Sequence, residues 1–337
     1  MRHQFTLGVI SILIGFWSGP SNLHASVQGQ DQKEGQQEGQ EGVPAKRPRV
    51  VGQAQTKEEF DAWSVIEKLG TDTTEDFKEK AQLNLNFLQE YPDSGLTPLA
   101  HQFLALAYQQ ENNFEKLFEH GEKAVAELPT SYVLMIELAV GYAESGSADK
   151  AIAHGQRGLE VSAAGTKPVQ LTTADFISKR DSLQADANYA IGLSRLHQSL
   201  SGGSNKDEFV EQARVHLEQA IELDPNHERA YLRLGRVCLT QQNAEQALDA
   251  FARAVAVGGQ TQEIAQGQLE QLYTYIHKKT EGMDEVVAKG KEFLQQKSAE
   301  KAAKLKEIED QEAQQLTQPG TTPAATESTE EPFTLPE

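Results

Sequence analysis

Apolar side chains between residues 57 and 297 recur every three or four positions, the period at which one face of an α-helix repeats. Polar breaks separate these segments, and the prolines 92, 98, 129, 168 and 225 all fall between them or at a first helical turn. No run of β-branched residues alternates with period two over a useful length. The pattern predicts an all-α fold built from short helix pairs.

A longer period is superimposed on the helical one. Residues 228–261 form a unit of about 34 residues in which small side chains stand where two helices must approach closely. Units 98–131 and 132–165 follow one another without a gap. Unit 185–227 is longer because of a polar insertion at 201–205. The segments 57–97 and 262–297 are interpreted as a degenerate unit and a pair of cap helices. The positions that define unit 228–261 are occupied by Tyr231, Leu234, Gly235, Cys238, Ala247, Phe251 and Ala254.

This spacing resembles the tetratricopeptide repeat, and the chain looks similar to secreted bacterial proteins of that family. The resemblance implies an α-solenoid of antiparallel helix pairs whose first helices line a groove for peptides or partner helices. Gly121 and Gly155 stand where the family pattern has a large residue, which predicts weaker packing at those two positions.

The resemblance also assigns a groove, residue by residue. Its expected lining is apolar in the middle, rich in amides at one end and basic at the other, where three arginines share one helix face. A specialised clamp for a terminal carboxylate, known in the family, is in doubt because apolar residues stand at its positions in the second unit. The alternative is that these side chains pack against neighbouring repeats or are solvated. The predicted partner-binding residues are Gln102, Gln109, Ile136, Val140, Tyr189, Leu193, Arg229, Leu232, Arg233 and Arg236.

The remaining sequence offers little sign of chemistry. It contains no GxxxxGK[ST], HExxH or GxSxG motif. The single cysteine, Cys238, is expected to be a buried apolar residue. His120, His154 and His216 occupy equivalent repeat positions, but stacked pairs about 8–10 Å apart cannot share one ion. We therefore predict no catalytic, cofactor-binding or metal-binding residues.

The two ends of the chain differ in composition from the repeats. Residues 1–25 resemble a secretory signal, with a basic start and an apolar run at 7–17 that is too short to span a membrane. An uncleaved anchor is the alternative. Residues 26–56 form a Gln/Gly/Glu-rich segment that we expect to be a disordered linker. Residues 298–337 are expected to begin as a charged helix extension, at 301–315, and to continue as a disordered acidic tail. An alternative is that the acidic tail from Glu307 folds back onto Arg229, Arg233 and Arg236 and occupies the arginine end of the groove.

The net charge of −19 over 337 residues argues against nucleic acid and anionic lipid as partners. The sequence therefore predicts a non-enzymatic protein-binding scaffold or adaptor that is exported to a bacterial periplasm or beyond, with no transmembrane span once the signal is removed. The alternatives are a self-associating envelope assembly factor and an accessory subunit of an envelope enzyme.

Overall fold

A computed structural model describes residues 49–168, 171–201 and 204–317, and within those residues the backbone forms α-helices and no strand. The all-α, repeat-type fold predicted from the sequence is confirmed. The expected signal at 1–25, most of the expected linker and residues 318–337 lie outside the described residues. The helices are α1 Lys57–Lys68, α2 Thr74–Glu90, α3 Thr97–Gln110, α4 Phe114–Glu127, α5 Tyr132–Glu144, α6 Ala148–Ala164, α7 Thr173–Leu200, α8 Lys206–Leu223, α9 Glu228–Thr240, α10 Ala244–Val257, α11 Gln262–His277 and α12 Met283–Thr317.

Short polar motifs begin the helices. The side chains of Thr73, Asn113 and Asn243 accept hydrogen bonds from backbone amides three residues later, at 3.1 to 3.3 Å. These bonds satisfy amides that have no partner inside the helix. The turns into α4 and α10 each place a residue with positive φ, Asn112 or Gln242, directly before the capping asparagine. The same turn therefore recurs in different repeats.

Each repeat packs as a helix pair, α3 on α4, α5 on α6, α7 on α8 and α9 on α10, and each pair contacts the next. Glycines make the closest approaches. A Cβ atom on Gly121 would lie 2.7 Å from Leu138 Cδ2, and one on Gly155 would lie 2.8 Å from Ile191 Cγ1. Both larger side chains are fully buried. The expectation of weaker packing at these glycines is wrong, because each glycine makes room for a large side chain of a neighbouring helix.

Two helices are longer than the repeat pattern suggests. Helix α7 runs without a break through 28 residues, so the segment before residue 185 belongs to the same helix as the repeat. Helix α12 spans 35 residues and includes the charged helix extension expected at 301–315, which it joins to the cap helix without a break. Its start packs on α10, where Gly290 lies against the backbone of Ala252, and its later turns return to α7.

Two polar contacts hold the far end of α12. Lys301 donates to the carbonyl of Leu223 and lies 3.6 Å from an oxygen of Asp181. Glu312 accepts from the backbone amide of Thr173 at 3.1 Å and pairs with Lys167 at 3.1 Å. The amide of Thr173 is the first of α7, where a carboxylate is favourable. Glu312 therefore contacts the start of α7 and not the arginines of α9. Among the described residues, the tail does not occupy the arginine end of the groove.

The segment 49–56 is ordered against the body, although its composition predicted a flexible linker. Arg49 donates two hydrogen bonds to Glu127, at 2.5 and 3.0 Å, and a further one to the carbonyl of Ser94. A Cβ atom on Gly95 would lie 1.9 Å from the carbonyl oxygen of Val50, so only glycine permits this approach. The linker prediction is wrong for these residues, because specific contacts compensate for their scarcity of apolar side chains.

Within the described ranges, no helix combines the length and the apolar character that crossing a membrane requires.

Candidate functional site

The apolar residues predicted to line the groove are buried in the packing between helices. Ile136 packs with Leu183 and Ala187 where α5 meets α7, and it lies against Gly158 of α6. Val140 and Leu193 belong to the largest core cluster, and Leu232 belongs to the cluster formed by α9 to α12. The prediction of an open apolar floor is therefore wrong at these positions, because the first helices α5 and α7 contact each other directly.

The amide end of the predicted lining is partly occupied. Gln102 accepts a hydrogen bond from the hydroxyl of Ser131 at 2.8 Å, which ties α3 to the start of the next repeat. Gln109, two helical turns further along α3, is half-buried. These amides remain at the surface, but only Gln109 lacks a side-chain partner among the described residues.

Charged side chains from α5, α7 and α9 converge at the basic end of the predicted lining. Glu137 and Glu144 are seven residues apart on α5, so they share a helix face. The arginines of α9 are four and seven residues apart and also share one face. These two charged faces lie against each other. The ionic side chains that pair here are between 20% and 34% exposed, so solvent reaches them. We call this group the charged cluster; its members are Glu137, Glu144, Asp186, Tyr189, His197, His227, Arg229, Arg233 and Arg236.

Arg229 is the best-satisfied arginine of the charged cluster. Its Nη2 donates to Asp186 at 3.0 Å, and its Nη1 lies 3.8 Å from Glu144. The guanidinium carbon also lies 4.7 Å from the centre of the Tyr189 ring, a cation–π distance. Burial lowers the pKa of Arg229, but Asp186, Tyr189 and Glu144 outweigh it and raise that pKa overall. Arg229 therefore holds three helices together.

His227 and Asp186 form a second fixed contact. Nδ1 of His227 accepts the amide hydrogen of Ala230 at 3.2 Å, so a neutral ring carries its proton on Nε2. That Nε2 lies 3.3 Å from Asp186 Oδ1. Burial opposes the ionisation of Asp186, but His227 and Arg229 outweigh it and hold the pKa of its carboxyl below the usual range. Asp186 is thus ionised at neutral pH.

Glu137 behaves differently from the other two carboxyl groups. Burial, followed by the nearby charge of Asp186, raises its pKa to about 8, although Arg229 acts in the opposite direction. Glu137 is therefore mostly protonated at pH 7. The charged cluster thus places three guanidinium groups beside the carboxyl groups of Glu144 and Asp186.

Polar atoms without a hydrogen-bond partner lie at the end of the charged cluster that is farthest from Arg229, around Arg233 and Arg236. Arg233 is 3.6 Å from Glu144, and its buried Nε has no hydrogen-bond partner within the described ranges. The same holds for the buried Nδ1 of His197. In the described part of the chain, the guanidinium of Arg236 forms no hydrogen bond or ion pair. Burial, and next the charge of Arg233, lowers the pKa of both Arg236 and His197.

The three histidines at equivalent repeat positions have separate partners. His120 shares a 2.8 Å hydrogen bond with His101, His154 lies 3.2 Å from Glu122, and His216 lies 2.9 Å from Asn188. Among the residues with described positions, no three His, Cys, Asp or Glu side chains are arranged to hold a metal ion. Cys238 is buried and free, and burial raises the pKa of its thiol.

The sequence analysis identified the arginines and Tyr189 but missed the carboxylates that face them. Glu137 and Glu144 lie seven residues apart on α5, a spacing that does place them on one face. Nothing in the sequence indicates that this face meets Arg229 on a helix more than 80 residues later. Only the stacking of the repeats brings them together.

Comparisons with known proteins are consistent with the repeat architecture. Residues 210–269 match the family model described as tetratricopeptide repeat. No curated protein sequence matches the chain. A structure from the functional characterization of Pseudomonas aeruginosa pilF aligns with a TM-score of 0.47 and 14% identity, covering 69% of this chain and 90% of that one. The human IFIT1 dimer with PPP-AAAA aligns with a TM-score of 0.31 and 13% identity, covering 77% of this chain and 64% of IFIT1.

Proposed function

This chain belongs to the tetratricopeptide-repeat family, and from that premise we propose that it is a non-enzymatic scaffold that binds a partner protein at the charged cluster. The observation that carries the proposal is that the arginine row of α9 is only partly neutralised: Arg233 lies 3.6 Å from Glu144, and within the described residues the guanidinium of Arg236 forms no hydrogen bond or ion pair, in a protein whose net charge is −19. A half-buried guanidinium without an anionic partner can accept one from a bound protein, because arginine forms strong charge-assisted hydrogen bonds with carboxylate groups.

The surface around these arginines suits a partner segment. Leu239 lies one turn beyond Arg236 on α9 and is 38% exposed, which offers an apolar contact beside the cations. Interfaces commonly combine an apolar contact with arginine and aromatic side chains. The binding surface is smaller than the groove expected from the sequence, because its middle is closed by packing.

Affinity capture tests this function. The full chain serves as bait beside an Arg236→Gln, Leu239→Asp variant. An Arg157→Gln variant is the matched control, because it removes a guanidinium that is half exposed and paired with Glu160 at 2.8 Å. We expect the wild type and the control to recover the same direct partner and the double variant to lose it. Recovery of the same partner by all three baits would show that binding occurs elsewhere.

We further propose that the chain is exported, to the periplasm or the exterior of a bacterial cell. The support is the pattern of residues 1–25, with its basic start and short apolar run. N-terminal sequencing of the protein recovered from cell fractions tests this proposal. We expect an envelope or secreted form beginning near Ser26. A cytoplasmic form that retains residues 1–25 would contradict the proposal.

Self-association is a second candidate function, favoured by a different surface. On α11, Ile264 is 51% exposed and Tyr275 is 73% exposed, and these two residues lie eleven apart on one helix face. Light scattering over a range of concentrations separates an assembling protein from a monomeric scaffold. We expect an assembling chain to lose its concentration-dependent mass in an Ile264→Asp, Tyr275→Asp variant. A constant monomeric mass in the wild type would leave the scaffold proposal alone.

A further inference from the structure

We propose that helix α11 is a self-complementary interface through which two copies of this chain pair antiparallel across a twofold axis. This inference rests on the self-association given above as the second candidate function, and it names the surface and the arrangement of the two copies. The surface is the side of α11 that carries Ile264, Gly267, Gln271 and Tyr275, which lie at i, i+3, i+7 and i+11. We call it the outer face of α11.

The outer face lies on the side of α11 opposite its core contacts. Ala265, Leu269 and Tyr273 are buried in the cluster formed by α9 to α12. The four residues of the outer face are exposed, and none of them is charged. The solvent side of an amphipathic helix normally carries charged and polar groups. Here it presents the apolar side chains of Ile264 and Tyr275, so this side of the helix is suited to contact with another protein surface.

No described helix covers the outer face of α11. Helix α11 packs on α10, and the helix that follows it, α12, packs on α10 and α7 rather than along α11. Helix α11 therefore lies at the end of the stack. The terminal repeats of such stacks normally present a polar surface to solvent. Helix α1 at the other end does so, since its exposed Lys57 and Asp61 lie 3.6 Å apart, whereas the outer face of α11 does not.

Gly267 indicates that the outer face is shaped for the approach of another helix. Each of the other glycines inside the described helices lies against a neighbouring element. A Cβ atom on Gly141, for example, would lie 2.7 Å from Leu117 Cδ2, and one on Gly192 would lie 2.8 Å from Leu217 Cγ. A Cβ atom on Gly267 would meet no atom within 4 Å. Glycine destabilises the middle of a helix but permits close approach of a second backbone, and for Gly267 the described residues provide none.

The partner that fits this face is a second α11. A twofold axis passing between Leu269 and Glu270 places Ile264 opposite the partner's Tyr275, and by symmetry the reverse contact forms as well. Gly267 then lies near the centre of the interface, where the two helices approach most closely. A twofold interface must use the same patch on both copies. The outer face meets this requirement, because its two apolar side chains are equally far from the axis.

The ends of α11 carry opposite charges, which favours the antiparallel arrangement. Glu263 lies in the first turn, whereas Lys278 and Lys279 directly follow the last turn. Within the described residues, Glu263 and Lys279 form no ion pair, and Lys278 donates to the carbonyl of Tyr275 at 2.7 Å. An antiparallel pair places each Glu263 beside the two lysines of the other copy. A parallel pair would instead bring like charges together, so the charges specify the direction.

Sedimentation velocity over a range of concentrations of the full chain tests the interface. Glu263→Lys, and separately Lys278→Glu with Lys279→Glu, should each weaken association by about fivefold or more, because like charges then meet at both ends of the pair. An equimolar mixture of these two variants should restore association, since unlike charges again face each other. The matched control is Glu309→Lys on the exposed side of α12, which changes the net charge as Glu263→Lys does and should leave association unchanged.

Gly267→Gln tests the close approach without changing any charge. It should weaken association by about tenfold, because the added side chain fills the space between the helices. Association that is equally strong in the wild type and in every α11 variant keeps self-association and overturns the α11 interface. Failure of the mixture to restore association overturns the antiparallel arrangement. A wild type that stays monomeric at all concentrations overturns both self-association and this interface, and it leaves the outer face to a different protein.

Discussion

Two glycines on neighbouring parts of the solenoid differ sharply in their surroundings, and this difference predicts opposite effects of the same substitution. A Cβ atom on Gly235 of α9 would lie 2.4, 2.6 and 2.8 Å from three ring carbons of Phe251. Phe251 is fully buried, so its ring has no space into which to move. A Cβ atom on Gly267, in the middle of α11, would meet no atom within 4 Å.

The magnitudes follow from two opposing terms. Replacing glycine by alanine inside a helix lowers the free energy of the folded state by about 1 kcal/mol. Overpacking a buried site costs about 1–3 kcal/mol, and three simultaneous short contacts place Gly235→Ala near the upper end. We therefore expect Gly235→Ala to lower the free energy of unfolding by about 2 kcal/mol, whereas Gly267→Ala raises it by about 1 kcal/mol.

Urea unfolding followed by far-UV circular dichroism measures both variants in one buffer. The midpoints should move in opposite directions, with a difference of about 3 kcal/mol between the two free energies of unfolding. Adding Phe251→Leu to Gly235→Ala should cost less than the sum of the two single changes, because the smaller side chain relieves the clash. Equal midpoints for the two alanine variants would refute the packing argument.

Three further predictions concern polar contacts. Arg229→Gln should lower the free energy of unfolding by about 1–3 kcal/mol, because Asp186 loses its 3.0 Å hydrogen bond and keeps only its contact with His227. Adding Asp186→Asn should recover part of this loss in thermal melts. Glu312→Gln should speed amide hydrogen exchange in the last turns of α12, whereas the exposed Glu309→Gln should not. Burial and the charge of His120 lower the pKa of His101 from 6.5 to about 4. The unfolded chain therefore takes up a proton on His101 at a higher pH than the folded chain does, so the free energy of unfolding should fall as the pH drops from about 6.5 to 4. His101→Gln should reduce this pH dependence when unfolding is measured across the same range.

The fold was largely predictable because its signals are local. The spacing of apolar residues in 228–261 specifies a pair of helices, and Asn243 caps the second helix by a contact within four residues. Asn113 caps α4 in the same way. Helix α12 continues through 301–315, where a charged helix extension is expected from the sequence, but the sequence does not indicate the contacts of Lys301 and Glu312, which join residues far apart.

The candidate site was only partly predictable, because it depends on how the pairs stack. Positions that line a groove in the family hold Ile136 and Val140 here, and direct packing of α5 on α7 buries both. The pattern marked the arginines of α9 as sharing a face, but it could not show which of them are neutralised. That distinction depends on Glu144 and Asp186, which two other helices supply.

The origin of the charged cluster in three successive repeats connects ligand binding to the stability of the stack. Arg229 already joins α9 to α5 and α7 through Glu144 and Asp186. A partner segment bound across α7 and α9 would add a second link between the same pairs. Binding to the folded stack alone raises its stability by about 2.7 kcal/mol at a ligand concentration one hundred times the Kd. The junction between α7 and α9 should therefore show the largest protection from hydrogen exchange when the captured partner protein binds, and equal protection at all repeat junctions would place the partner elsewhere.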